Sequence, residues 1–191
     1  MDSKRLQKEI PRKAIHVMFG IFFLLIISLL GPGLSLIIMG ACMILGILVS
    51  FAITRGAKFK RLKKIVEKVE RENEKKFPGK AAIYFFASAI ILLFIFGTSK
   101  TIVITALSVQ IFADAAGAIV GMSIGRHKLI GKKTIEGSTA FFLVAVGCIS
   151  LFYPIQFALL PAIVATIIEA LPLDDNLWVP LFTAITLILI I

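Results

Sequence analysis

An aspartate in the middle of an apolar run, followed at once by glycines, lysines and hydroxyls, is the part of this sequence best equipped for chemistry. Residues 114–139 read DAAGAIVGMSIGRHKLIGKKTIEGST. A carboxylate inside an apolar helix is expensive, and such residues mark sites. Gly117, Ala118, Gly121 and Gly125 follow Asp114 at i+3, i+4, i+7 and i+11, on the same face of a helix. They form either a small-residue packing seam or a groove through which a chain end or a metal-bound phosphate reaches the acid. Arg126, Lys128, Lys132 and Lys133 make a basic loop, and Thr134, Gly137 and Ser138 a polar turn. Lysines neutralise phosphate charge, while hydroxyls and free backbone N–H groups complete a cradle. The alternative is basic charge at a membrane surface with no ligand. Residues 131–134, GKKT, end like a P-loop but lack its glycine spacing and a preceding strand, which excludes that motif.

Two further groups belong with this stretch. Glu169, Asp174 and Asp175 lie in EALPLDDN, residues 169–176. Carboxylates beside phosphate-binding lysines suit a Mg²⁺–nucleotide site, because Mg²⁺ takes one or two carboxylates plus phosphate oxygens. They equally suit a solvated turn in which Asp174 caps the next helix. Arg12, Lys13 and His16 sit within one helical turn of each other at the start of the first apolar run. They could hold a phosphate or a lipid headgroup, or serve as an interfacial anchor.

The elements that must position these residues are apolar helices. The chain has 191 residues, 59% of them hydrophobic, more than ordinary soluble domains carry. The composition predicts an all-α, polytopic transmembrane bundle forming one domain over residues 1–191. Apolar runs cover residues 14–30, 34–53, 81–97, 101–124, 140–153, 155–170 and 181–191. About 20 residues cross the hydrocarbon core; the last runs are short, which allows six spans, but seven is the preferred count. The basic approach to the first run resembles a signal peptide, but no small-residue cleavage site follows, so a retained span is expected. Residues 55–80 are dense in charge, with apolar positions at helical spacing, and predict an amphipathic surface helix. Cys42 and Cys148 fall inside apolar runs with no ligand spacing and read as packing residues.

The excess of 21 Lys+Arg over 11 Asp+Glu would suggest nucleic acid in a soluble protein; here it orients the membrane protein instead. Every Lys and Arg except Lys100 lies in residues 1–13, 55–80 or 126–133. With seven spans these segments share one side, so the positive-inside rule places them and the N-terminus in the cytoplasm. The loops 125–139 and 169–180 then open to the cytoplasm too. Asp114 lies about 10–16 Å below that boundary, at 1.5 Å per helical residue.

RKAIH (residues 12–16), DAAGAIVG, GKKTIEGS (residues 131–138) and EALPLDDN, in that order, resemble the dolichol kinase/phytol kinase family of integral membrane proteins. That family includes CTP-dependent diacylglycerol kinases. The resemblance covers essentially the whole chain and is most specific at 114–139. It implies transfer of the γ-phosphate of a nucleotide, commonly CTP, to the hydroxyl of a membrane lipid alcohol. Positioning and charge stabilisation dominate such reactions. Under this resemblance Asp114, Lys132 and Lys133 are the expected catalytic residues. Asp114 orients the hydroxyl and takes its proton late, or holds metal. Asp174 and Asp175, with Glu169 and Asp114, are expected to hold Mg²⁺ or another divalent cation. Arg126, Lys128, Lys132, Lys133, Thr134, Gly137 and Ser138 are expected around the nucleotide. Arg12, Lys13, His16, Gly117 and Gly121 are expected to contact lipid or phosphate.

GKKTIEG also resembles phosphatidate cytidylyltransferases, which use CTP on a lipid phosphate. The Gly-, Asp- and Arg-rich terminal signature of those enzymes is replaced here by EALPLDDN, which favours the kinase. A non-enzymatic lipid-binding or transport protein is a third reading; the gathering of ionisable residues on one face opposes it. The expected partners are the bilayer, a lipid alcohol and a nucleoside triphosphate, without nucleic acid. The sequence leaves the alcohol, the choice of CTP over ATP, the membrane and homo-oligomerisation open.

Overall fold

The structure is a computed structural model that describes residues 3–55 and 78–191. The all-helical class expected from the sequence is what forms, and among the described residues the only β-type pairing is a bridge between Lys128 and Thr134. The amphipathic helix expected over residues 55–80 falls almost wholly outside the described residues.

The first helix, α1 (Ser3–Thr54), is broken at Gly31, where φ is 76° and ψ is 172°. Only glycine enters that region readily. Pro32 follows, its fixed φ suited to reopening a helix where its missing N–H costs nothing. The Ser35 hydroxyl donates to the Gly31 carbonyl at 2.6 Å, satisfying an acceptor at the break. The chain reverses there. Phe23 in the first arm meets Phe86 of α2 (Lys80–Phe96) edge-on at 5.0 Å. Gly46 in the second arm faces Ile83 near the start of α2, and Pro32 at the bend lies against Gly97 at its end. The two apolar runs expected on either side of residues 31–33 are therefore antiparallel arms of one hairpin.

Helix α3 (Lys100–Ser123) carries Asp114 and runs through the centre of the molecule. It starts as an α-helix, widens into a π-helical turn over Val109–Ala113, and resumes as an α-helix at Asp114–Ser123. Its residues join two cores. Ile102, Val103, Leu107 and Ile111 pack with Phe23, Ile27 and Leu92 of α1 and α2. Val109 and Ala113 pack with α4 (Ile135–Ser150), α5 (Ile155–Ala170) and α6 (Asp175–Ile190) through Phe141, Ala162 and Val179. The most apolar stretch of α3 is 72% buried and that of α1 only 11%, so α3 is the axis and α1 lies at the periphery.

Side chains such as Phe22, Leu29, Ile37, Leu45, Phe94 and Leu189 point outward and are exposed. An apolar surface of this extent needs a cover other than water. Glu9–Thr54 and Lys100–Ser123 are long and apolar enough to cross a membrane by length and composition; the other apolar helices have 16 or 17 residues. At 1.5 Å per residue those shorter helices rise about 24–26 Å.

The helices alternate between two ends. At one, Lys100 Nζ donates to the Ser28 carbonyl at 3.0 Å, next to the bend at Gly31. At the other end Lys13 meets Asp114, Lys80 meets Asp174, and Lys133 meets Glu169 and Asp175. The charge-rich end is where the chemistry-bearing residues gather.

Candidate functional site

Asp114 begins the α-helical stretch that follows the π-turn. Widened turns of this kind are frequent at functional sites because they re-aim the residues beside them. With nine residues still to go before Ser123, the carboxylate lies about 14 Å from the helix end. Lys13 of α1 is ion-paired with Asp114 Oδ2, and both residues are buried. His16, one turn further along α1, brings Nε2 to 3.9 Å from the same oxygen. Its ring lies edge-on to Phe85, with centroids 6.2 Å apart. Arg12 pairs with Glu9 on its own helix. The basic cluster of the first helix thus meets the acid through Lys13 and His16, a pairing that sequence separation hides.

Between α3 and α4, residues 126–134 fold back on themselves. Leu129 N–H donates to the Lys133 carbonyl and Ile135 N–H to the His127 carbonyl, both at 2.9 Å. Gly131 turns the chain with φ 58°. His127 Nδ1 lies 2.7 Å from Glu136 Oε1. The hydrogen bond from its own backbone N–H, then that with His127, bring the Glu136 carboxyl down to about 2. The Thr134 hydroxyl caps α4, accepting from Gly137 N–H at 3.2 Å. The structure thus gives Thr134 a capping role.

The glycine spacing after Asp114 produces close contact between α3 and α4. A Cβ on Gly137 would stand 2.9 Å from the Gly117 carbonyl oxygen and 3.1 Å from Gly121 Cα. This is the packing-seam geometry, and it brings the basic loop and the start of α4 against the helix that carries Asp114.

Lys133 turns inward, whereas Arg126, Lys128 and Lys132 are exposed on the loop. The Lys133 ammonium pairs with Glu169 from the last turn of α5 and with Asp175 Oδ2 at 2.9 Å from the first turn of α6. Ser138 Oγ donates to the other Glu169 oxygen at 3.2 Å. Burial opposes the charged form of Lys133, but Asp175 and Glu169 hold it above the ordinary lysine value. Burial pushes the Asp175 carboxyl up to about 6; Lys133 works against this, and the charges of Asp114 and Glu169 add to it. Asp114, Lys133, Glu169 and Asp175 therefore act electrostatically as one group. Asp174 is apart from it, 45% exposed and 3.1 Å from Lys80.

Among the described residues, no three His, Cys, Asp or Glu side chains converge as a ready-made metal centre. The donor set nevertheless suits a divalent cation arriving with a phosphate, which needs only one or two protein carboxylates. Glu169 and Asp175 face a shared positive charge, and Asp175 Oδ1 is buried without a partner.

Two polar residues here escaped the sequence reading. Gln110 lies in the π-turn, four residues before Asp114, and its Nε2 donates to Asn176 Oδ1 of α6 at 2.8 Å. A glutamine inside the same apolar run, at i−4 from the acid, was a readable signal. Lys80, the partner of Asp174, carried no such signal.

No protein-family model and no solved structure matches the chain. Three proteins resemble it in sequence. A wheat (Triticum aestivum) protein named "Probable phytol kinase, chloroplastic" is 27% identical over 99% of this chain and 70% of its own length. A soybean (Glycine max) protein named "Probable phytol kinase 3, chloroplastic" is 26% identical over 91% of the chain and 60% of its own length. The Methanocaldococcus jannaschii protein MJ1137, described as uncharacterised, is 30% identical over 93% of the chain and 91% of its own length.

Proposed function

Because the chain belongs to the phytol kinase/dolichol kinase-like family, we propose that it is a CTP-dependent lipid-alcohol kinase. The acceptor is a membrane alcohol of the phytol, polyprenol or diacylglycerol class. The observation that carries this reading is the convergence at one end of the bundle. Lys13, Asp114, Lys133, Ser138, Glu169 and Asp175 come together there from α1, α3, the basic loop, α4, α5 and α6.

In the proposed reaction the lipid hydroxyl oxygen forms a bond to the γ-phosphorus as the bond from that phosphorus to the β–γ bridging oxygen breaks, and CDP leaves. Asp114 sits deep enough to meet a headgroup at the end of an apolar tail. It orients the O–H and takes its proton late in the transfer. Lys13 keeps that carboxylate charged and aimed. Lys132 and Lys133 neutralise phosphate oxygens at the start of α4, where the helix N-terminus favours anions. Arg126 and Lys128 add positive charge at the loop surface. Glu169 and Asp175 would hold a divalent cation, which would supply neutralisation of the charge that develops on the phosphates. The preferred arrangement is seven spans with this end facing the cytoplasm; Lys13, Lys80 and Lys128–Lys133 share it, and Lys100 lies at the other.

The kinase names of the two plant relatives favour this reading over a cytidylyltransferase. The test is label transfer by purified protein in lipid with Mg²⁺ and CTP labelled at either the α or the γ phosphorus. Phytol, polyprenol, diacylglycerol and phosphatidate are offered in parallel, with a matched ATP arm. Label from the γ position on an alcohol is expected. Label from the α position on phosphatidate would make the protein a cytidylyltransferase, and transfer from ATP alone would replace the donor.

A further inference from the structure

Gln110 is fully buried, yet only one end of its amide is satisfied. Nε2 donates to Asn176, while Oε1 has no partner. A buried carbonyl left unpaired is costly and calls for an explanation. The surroundings supply one. The His16 ring lies against the backbone of Gln110, and its own Nε2 is buried without a hydrogen bond, 3.9 Å from Asp114 Oδ2. Asp114 follows one turn later, and Asn176 stands next to Asp175, whose Oδ1 is also buried and unpartnered. Gln110 Oε1 and Asp175 Oδ1 are both acceptors without a hydrogen-bond partner, whereas Asp114 is paired with Lys13. Such a set calls for a donor. An alcohol brings one O–H, which an ether of the same tail lacks.

We infer that Gln110, held in place by Asn176, reads the hydroxyl of the bound lipid acceptor through its Oε1, holding the one O–H until Asp114 takes its proton, and so selects an alcohol over an acceptor that has no donor. This rests on the kinase reading for its substrate class but makes its own claim about two residues. Asn176 is the positioning residue. Because its Oδ1 accepts from Gln110 Nε2, the Gln110 carbonyl is the end turned to the substrate. An aspartate at 176 preserves that arrangement, and a leucine releases it.

The experiment measures the binding of phytol and of phytyl methyl ether to the full chain in detergent, alongside γ-phosphate transfer from CTP to phytol. The ether keeps the tail and an acceptor oxygen but has no donor. The wild-type protein is expected to prefer phytol on the order of tenfold or more, the value of one buried hydrogen bond. In Gln110→Met, which keeps length without the amide, that preference collapses. Asn176→Leu also reduces it, and Asn176→Asp keeps it, so the residue 176 pair carries the test even if Gln110→Met does not fold. Equal binding of phytol and its ether by the wild-type protein, or an unchanged preference in folded Gln110→Met or Asn176→Leu, overturns the inference. Discrimination by Gln110 without any phosphate transfer would instead overturn the kinase reading and leave this one standing.

Discussion

Lys13 and Asp114 are each conspicuous in the sequence, one in RKAIH and the other in an apolar run, but nothing in the sequence says that they touch. Their pairing depends on the first arm of α1 lying beside α3, a tertiary fact that local pattern does not encode. The same limit explains Lys133. Its residue type and place marked it only as a candidate phosphate ligand, while its pairing with Glu169 and Asp175 required three helix ends to meet. Removing one member of a buried pair leaves the other charge uncompensated, at about 3–5 kcal/mol. Lys13→Met is therefore expected to destabilise the protein by about that amount, and Lys13→Met combined with Asp114→Asn to recover most of it. Denaturant unfolding in detergent checks this. A double variant no more stable than Lys13→Met would show that the two residues are not energetically coupled.

At the level of elements, the glycine spacing after Asp114 was readable as a seam or as a groove, and the structure shows a seam whose other half is Gly137. That partner was singled out in the sequence for a different purpose, as a phosphate contact, because a short motif does not reveal what packs on it. The contact leaves no space for a methyl group, whereas Gly147 on the same helix has open space around it. Gly137→Ala is expected to destabilise by about 1–3 kcal/mol through overpacking. It should also lower phosphate transfer by on the order of a hundredfold, because displacements of about 1 Å are costly to a positioned reaction. Gly147→Ala should be neutral or stabilising by about 0.5–1 kcal/mol, as expected for glycine replaced inside a helix. Thermal unfolding and a transfer assay on both variants separate the seam from a general intolerance of side chains in α4. The π-turn before Asp114 had no counterpart in the sequence reading.

For the whole molecule, hydropathy located the helices approximately and placed Gly31-Pro32-Gly33 at a reversal, but α4 and α6 begin at Ile135 and Asp175, ahead of the apolar runs at 140–153 and 181–191. It was not enough to identify α3 as the axis, because an apolar helix looks the same in sequence whether it faces lipid or protein. The distribution of Lys and Arg is the basis for the expected sidedness; in the structure Lys13 and Lys80 lie at one end of the bundle and Lys100 at the other. Single cysteines replacing Lys128 and Lys100, in a protein with Cys42 and Cys148 changed to alanine, test this directly. In sealed vesicles, a membrane-impermeant maleimide is expected to label the two positions from opposite sides. Labelling of both from one side would remove the seven-span arrangement.

The 16-residue helices α4, α5 and α6 have a consequence for the bilayer itself. In the seven-span arrangement their rise of about 24 Å meets a hydrocarbon core of about 30 Å. The mismatch is relieved by local thinning or by a change of tilt, each at a modest cost per ångström. Thinning on this face draws the headgroup plane toward the Lys133 cluster and shortens the distance that an acceptor's polar end must sink to reach Asp114. In that arrangement a thin membrane is the setting in which the Lys133 cluster lies closest to the surface.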